Sequence, residues 1–244
     1  MKIKTSFVLL LWFLAMSCSS NSQELNTSSN HNPDENSSQE NTIKLLSLGD
    51  SYTIGHSVCE TCRFPEQLKL ALESHYSTSG SVELKIIAQT GWTTTNLLSA
   101  IDAANLNSNY DLVTLLIGVN NQYSHLNFSI YETEFAALVE KAKALASNDP
   151  SKIIVISIPD YAYTPYGQGS ANPQQISTEI DEYNQFAQDY CSENDISYVY
   201  ITDITRLGLE QTSLVASDGL HPSGLAYTQF VERILPVALE KLDD

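Results

Sequence analysis

Four short segments carry side chains whose chemistry interlocks: Gly49-Asp50-Ser51-Tyr52, Gln89-Thr90-Gly91-Trp92, Gly118-Val119-Asn120-Asn121 and Asp218-Gly219-Leu220-His221-Pro222. A hydrolytic serine needs a base within hydrogen-bond reach, a carboxylate that fixes the base's tautomer, and donors aimed at the developing oxyanion. Together the four segments supply every part. Gly91 allows close backbone approach, and an asparagine amide offers an uncharged donor that keeps its protons. Asp218 and His221 sit three apart in a turn containing Gly and Pro, so they can pair locally.

The elements around these segments explain how they meet. Short apolar runs at Leu45–Leu48, Leu84–Ala88, Leu112–Ile117, Ile153–Ile158 and Tyr198–Ile201 read as strands. They are continuously apolar, as strands covered on both faces must be, and each is separated from the next by enough chain for a crossover helix. Stripes at helical spacing fill the intervals. Phe64, Leu68, Ala71, Leu72 and Tyr76 form one, and Tyr131, Phe135, Leu138, Ala142 and Leu145 a second, opened by Ser129-x-x-Glu132 as a capping box. Ile180, Tyr183, Ala187, Tyr190 and Cys191 form a third, and Tyr227, Val231, Ile234 and Ala238 a fourth that Pro236 is expected to kink. These stripes are core faces. Alternating strands and helices predict one three-layer α/β/α domain, doubly wound on a five-stranded parallel sheet. Its ligand site lies beyond the carboxyl ends of the strands, where all four segments fall.

In this setting the chain resembles a known family. G-D-S-Y after the first strand, the isolated Gly91 after the second, G-x-N after the third and D-x-x-H-P before the last helix are similar to the motifs of the SGNH/GDSL hydrolases, esterases and lipases with a flavodoxin-like sheet. The resemblance covers roughly Ile43 to Leu242 and rests on the set, because a lone G-D-S is common turn chemistry. It implies that Ser51 is the nucleophile, His221 the general base and Asp218 the group orienting the imidazole. It also implies an oxyanion hole made by the backbone N–H groups of Ser51 and Gly91 and the side-chain amide of Asn120. No cofactor or metal is implied, and the substrate is a small-molecule carboxylic ester with a small or medium acyl group, lysophospholipid and acetylated sugar included. Asp50 is expected to bond nearby backbone. Where the family often has Asp after G-x-N this chain has Asn121, so a neutral contact must brace that loop. The G-x-S-x-G elbow of α/β-hydrolases is absent, since Thr53 occupies its second Gly position.

Rival readings are narrower. Of the five histidines, His31 precedes the domain, His75 sits in a helix and His125 in a loop, while His56 is close to Ser51 in sequence but has no carboxylate preceding it as Asp218 precedes His221. Tyr161, Tyr163 and Tyr166 follow the fourth strand and, with Trp92, are candidates to wall a substrate pocket; the alternative is a loop packing its own rings. A non-catalytic glycan- or lipid-binding surface lipoprotein on the same scaffold is the main alternative function, although nothing is missing from the catalytic set. A flavin or phosphate binder using the G-D-S-Y loop leaves Asp218 and His221 unexplained.

Composition limits partners and location. A formal charge of −17 over 244 residues makes nucleic acid a poor partner. Lys2 and Lys4 precede ten apolar residues, Phe7 to Met16, too few for a span that needs about 18. Residues 1–17 read as a signal peptide, and Leu14-Ala15-Met16-Ser17-Cys18 resembles a lipobox that would place lipid on Cys18; ordinary cleavage near Ser17 is the alternative. Residues 18–42, rich in Ser, Asn, Thr, Gln and Glu, read as a flexible tether before a domain at 43–244. The expectation is an exported lipoprotein anchored to a membrane, in the periplasm or at the cell surface. Cys59 and Cys62 lack a second ligand pair for zinc and read as a local disulfide, and Cys191 as a core residue.

Overall fold

The computed structural model describes residues 42–76 and 80–243. The proposed signal peptide, Cys18, His31 and all of the tether but its last residue lie outside them.

The chain opens with β1 (Ile43–Gly49), the one-turn α1 (Ser51–Ile54) and α2 (Phe64–His75), then β2 (Val82–Ala88) and α3 (Thr94–Ala103). Next come β3 (Leu112–Leu116), α4 (Val119–Tyr123), α5 (Phe128–Leu145), β4 (Ile153–Ile156) and α6 (Pro173–Glu193). The domain ends with β5 (Ser197–Val199), α7 (Thr202–Thr205) and α8 (Gly224–Asp243). All strands are parallel, in the order β2-β1-β3-β4-β5. This is the expected five-stranded α/β/α sheet. In the ladders Gly49 pairs with both Ala88 and Leu116, so β1, β2 and β3 end level with one another. Every residue of β3 and β4 is buried, which is why their sequences run apolar without alternation.

Helix α2 packs on α8, and α3 and α6 pack on α5. The α5–α6 seam is aromatic: Tyr131 lies 4.5 Å from Tyr183 between ring centroids, and Phe128 meets Tyr183 edge-on at 4.9 Å. Such pairs add directionality to ordinary apolar burial. Cys191 is fully buried on α6, as its stripe predicts. Among the described residues no helix is long and apolar enough to cross a membrane.

Local chemistry moves several boundaries. Helix α5 is capped by Asn127, whose Oδ1 accepts from the N–H of Ser129 at 3.0 Å, so Ser129 lies inside the helix and the expected capping box there does not form. Helix α3 matched no stripe, because only Thr94, Leu97 and Ile101 of its residues are buried; a capping box between Thr93 and Asn96 starts it. Strands β4 and β5 stop short because Ser157 Oγ accepts from the N–H groups of Ile201 and Thr202, at 2.8 and 3.1 Å, in place of a further ladder. Helix α8 continues through Pro236 to Asp243.

Candidate active site

Ser51 leaves the sheet at the end of β1 on a sharply confined turn. A Cβ at Gly49 would lie 2.4 Å from the carbonyl oxygen of Leu116, so only glycine fits between β1 and β3. Asp50 then caps α1, its Oδ1 accepting from the N–H of Tyr52 at 3.0 Å, as expected of a residue that bonds local backbone. Its carboxylate is fully buried, Oδ2 has no hydrogen-bond partner, and burial pushes its pKa up to about 7 against the pull of backbone N–H groups. Ser51 is the first residue of α1, where a backbone N–H has no partner within its helix.

Two neighbouring strands deliver the other candidate donors. Gly91, after β2, has a left-handed φ of 85°, and a Cβ there would meet no protein atom, so the space beside it is open for a ligand. Asn120 sits in α4, directly after β3, and its Nδ2 donates to the main-chain carbonyl of Trp92 at 2.9 Å. An amide has two N–H groups, so this bond aims the side chain and leaves one donor over. Asn121 is fully buried: its Oδ1 accepts from the N–H of Thr94 at 3.0 Å and its Nδ2 donates to Thr94 Oγ1 at 2.7 Å. Thr94 Oγ1 in turn donates to Glu134. The neutral residue therefore braces this loop through two hydrogen bonds to α3.

Asp218 and His221 arrive together on the loop before α8. Asp218 Oδ1 accepts from the N–H groups of Leu220 and His221, at 2.9 and 3.0 Å, and Oδ2 accepts from His221 Nδ1 at 2.6 Å. The loop is tied by His221's carbonyl, which accepts from the N–H of Ala216, and by the N–H of Tyr166 donating to Gly219's carbonyl. Burial pushes the Asp218 carboxyl up, but hydrogen bonds from Ser57, His221 and the backbone outweigh it and hold it well below the usual carboxylate range. Burial lowers the His221 pKa below its ordinary value, opposed by Asp218 and reinforced by neighbouring His56. The imidazole is thus neutral at neutral pH, with Nδ1 committed to Asp218 and Nε2 left for chemistry.

Ser51, Gly91, Asn120 and His221 line one cavity of about 170 Å³. Tyr161 and Tyr166, two of the candidate wall residues, line it; Trp92 and Tyr163, the other two, do not. Trp92 packs half-buried against the core and serves through its carbonyl, while Tyr163 lies under the guanidinium of Arg206, 5.9 Å from its ring centroid. Arg206 is itself paired with Asp160 and Asp181, and Arg63 with Glu60 and Glu66. The sequence did not single out Tyr123, Thr90 or Leu220 as wall residues. Tyr123 was findable, three residues after Asn120 on the same short helix. Its hydroxyl meets that of Tyr166 at 2.6 Å, and both rings, with Tyr161, also line a second cavity of about 580 Å³ bounded by Pro165, His125 and Ile176.

His56 is closer to the site than its sequence context suggests, its ring centroid 4.6 Å from that of His221. His56, Asp218 and His221 bring ligand-type atoms within 4.8 Å of one another. Their hydrogen bonds already knit them: Asp218 Oδ2 accepts from His221 and from Ser57 Oγ, and His56 Nδ1 lies 3.0 Å from Thr90 Oγ1. Cys59 and Cys62 are joined by a disulfide beside this cluster.

The same fold occurs in known proteins. The profile of the GDSL-like Lipase/Acylhydrolase family matches residues 47–229. No curated protein sequence is significantly similar. Solved structures sharing the fold include a lipolytic protein of the G-D-S-L family from Veillonella parvula, with 17% identity and a TM-score of 0.61 over 80% of this chain and 97% of that one. An acetyl xylan esterase from Geobacillus stearothermophilus aligns at 18% identity and a TM-score of 0.62, covering 80% and 94% of the two chains. A lipase/acylhydrolase from Enterococcus faecalis does so at 20% identity and 0.61, again over 80% and 94%. With its family profile matched across most of its length and its sheet built as these enzymes build theirs, the chain belongs to the GDSL-like lipases and acylhydrolases, enzymes that act on ester bonds.

Proposed function

We propose that the protein hydrolyses carboxylic esters through an acyl-enzyme on Ser51. The observation that carries this reading is the 2.6 Å bond between Asp218 Oδ2 and His221 Nδ1, made at the wall of the cavity that Ser51, Gly91 and Asn120 also line. His221 Nε2 takes the proton of Ser51 Oγ as the hydroxyl attacks the ester carbonyl. The oxyanion is met by the N–H groups of Ser51 and Gly91 and by Asn120 Nδ2, donors already oriented before reaction. Collapse expels the alcohol, which His221 protonates. Water, deprotonated by the same imidazole, then releases the acid and regenerates Ser51.

A cavity of about 170 Å³ with Tyr123, Tyr161 and Tyr166 in its wall favours small or medium acyl groups. The acetyl xylan esterase that shares the fold is a reason to include acetylated sugars among candidate substrates. The N-terminal pattern of Lys2, Lys4, Phe7–Met16 and Cys18 supports export and a lipid anchor, which labelling with a radioactive fatty acid in wild type and Cys18→Ala tests. The decisive experiment is an acyl-chain series of p-nitrophenyl esters with acetylated xylan, run on wild type and Ser51→Ala. Wild-type turnover on at least one substrate, lowered about 10³-fold or more in the variant, is expected. Equal non-zero rates would overturn Ser51 as the nucleophile, and no turnover by either would favour a binding protein.

A further inference from the structure

Asp218 has a fourth hydrogen-bond donor that its own loop does not supply. Ser57 Oγ donates to Asp218 Oδ2 at 2.6 Å from a segment 161 residues away. An ionised carboxylate has about four acceptor sites, and here all are used: two backbone N–H groups on Oδ1, and Ser57 with His221 on Oδ2. Without Ser57, Oδ2 retains one donor and the carboxylate gains a direction in which to swing away from the imidazole.

The chain goes to some length to place this hydroxyl. Ser57 has a left-handed φ of 66°, which costs energy for a residue with a Cβ and recurs where backbone strain serves a site. It follows Gly55, whose φ of 74° ends α1, and precedes the Cys59–Cys62 disulfide. That bridge is seated on the first turn of α8, the helix that follows the His221 loop. Gln67 Nε2 donates to the carbonyls of Cys62 and Gly224, at 2.6 and 3.1 Å, and Gln67 Oε1 accepts from Thr228 Oγ1 at 2.8 Å. A Cβ at Gly224 would lie 3.2 Å from that of Cys62, so the two backbones are in close contact.

We propose that Ser57 is a positioning residue of the catalytic apparatus, fixing Asp218 against His221, and that the Cys59–Cys62 disulfide holds the loop that presents it. The claim rests on Ser51, His221 and Asp218 acting as proposed above. Its test compares wild type, Ser57→Ala, Ser57→Gly and Ser51→Ala on the best p-nitrophenyl ester, with melting temperatures measured alongside. Glycine removes the hydroxyl while relieving the left-handed backbone, so it separates positioning from folding. Both Ser57 variants are expected to lose kcat about 10-fold with KM within about twofold, and Ser57→Gly to melt no lower than wild type. Replacing both cysteines, Cys59→Ser with Cys62→Ser, should slow the otherwise wild-type enzyme but add little in the Ser57→Gly background.

Wild-type kcat in Ser57→Gly overturns the role of Ser57. A cysteine effect of the same size in both backgrounds overturns the link to the disulfide. Full activity in Ser51→Ala would instead remove the hydrolase mechanism itself, so the two failures are distinguishable.

Discussion

The rings of His56 and His221 lie 4.6 Å apart between centroids, tilted by 48°. Two imidazoles this close resist simultaneous protonation, and His56 accordingly depresses the pKa of His221 alongside burial. In the proposed mechanism His221 must be neutral to act as base, so activity is expected to be lost as pH falls through its pKa. Replacing His56 by Gln removes the repulsion, lets the His221 pKa rise and moves the acidic limb of the kcat/KM profile to higher pH. A limb that stays in place, measured from pH 4.5 to 8, would show that the two rings do not communicate.

Asp50 provides a pH signature of stability. Its folded pKa, raised by burial to about 7 from an ordinary 3.8, means that its contribution is complete below about pH 4 and is lost as pH climbs through 7. Asp50→Asn keeps an acceptor for the N–H of Tyr52 and cannot ionise. Its stability relative to wild type should therefore grow between pH 4 and 7, toward about 4 kcal/mol at most. Urea denaturation at several pH values reads this difference directly.

Asn121 is predicted to be a stability residue whose loss also slows catalysis. Asn121→Ala strands the buried N–H of Thr94 and removes both bonds to α3, a cost of about 2–4 kcal/mol. Because Asn120 is its neighbour on the same short helix, kcat should fall as well, with the melting temperature and the acetyl-ester rate measured on the same preparation.

Chain-length selectivity should reside in the tyrosine wall that the two cavities share. Tyr166→Ala removes a ring that lines both the cavity beside Ser51 and the larger one, and should widen the path between them. The ratio of kcat/KM for decanoyl over acetyl p-nitrophenyl esters is expected to rise about 10-fold. An unchanged ratio would place the acyl group elsewhere.

Much of this molecule was legible in its residues for a physical reason: parallel strands buried on both faces write continuous apolar runs, and reactive loops at their carboxyl ends follow by topology. The grouping of Ser51, Gly91, Asn120 and the Asp218/His221 turn at one end of the sheet was therefore visible. Helix α3 was not, because three buried residues write too faint a stripe. The contact of Trp92 with Asn120 was not legible, because it is made by a carbonyl, which every residue has, and not by its indole. Ser57 was invisible because its value depends on a left-handed backbone and on a partner 161 residues away, neither of which leaves a mark in local composition.

The level ends of β2, β1 and β3 make the sheet a ruler for the proposed oxyanion donors. Gly91, Ser51 and Asn120 each leave an adjacent strand within four residues of the aligned Ala88, Gly49 and Leu116. Their lateral separations are inherited from backbone pairing distances of about 4.8 Å, which side-chain replacement scarcely alters. Substrate preference in such a scaffold can drift by remodelling the tyrosine wall while the gauge that measures out transition-state charge stays fixed.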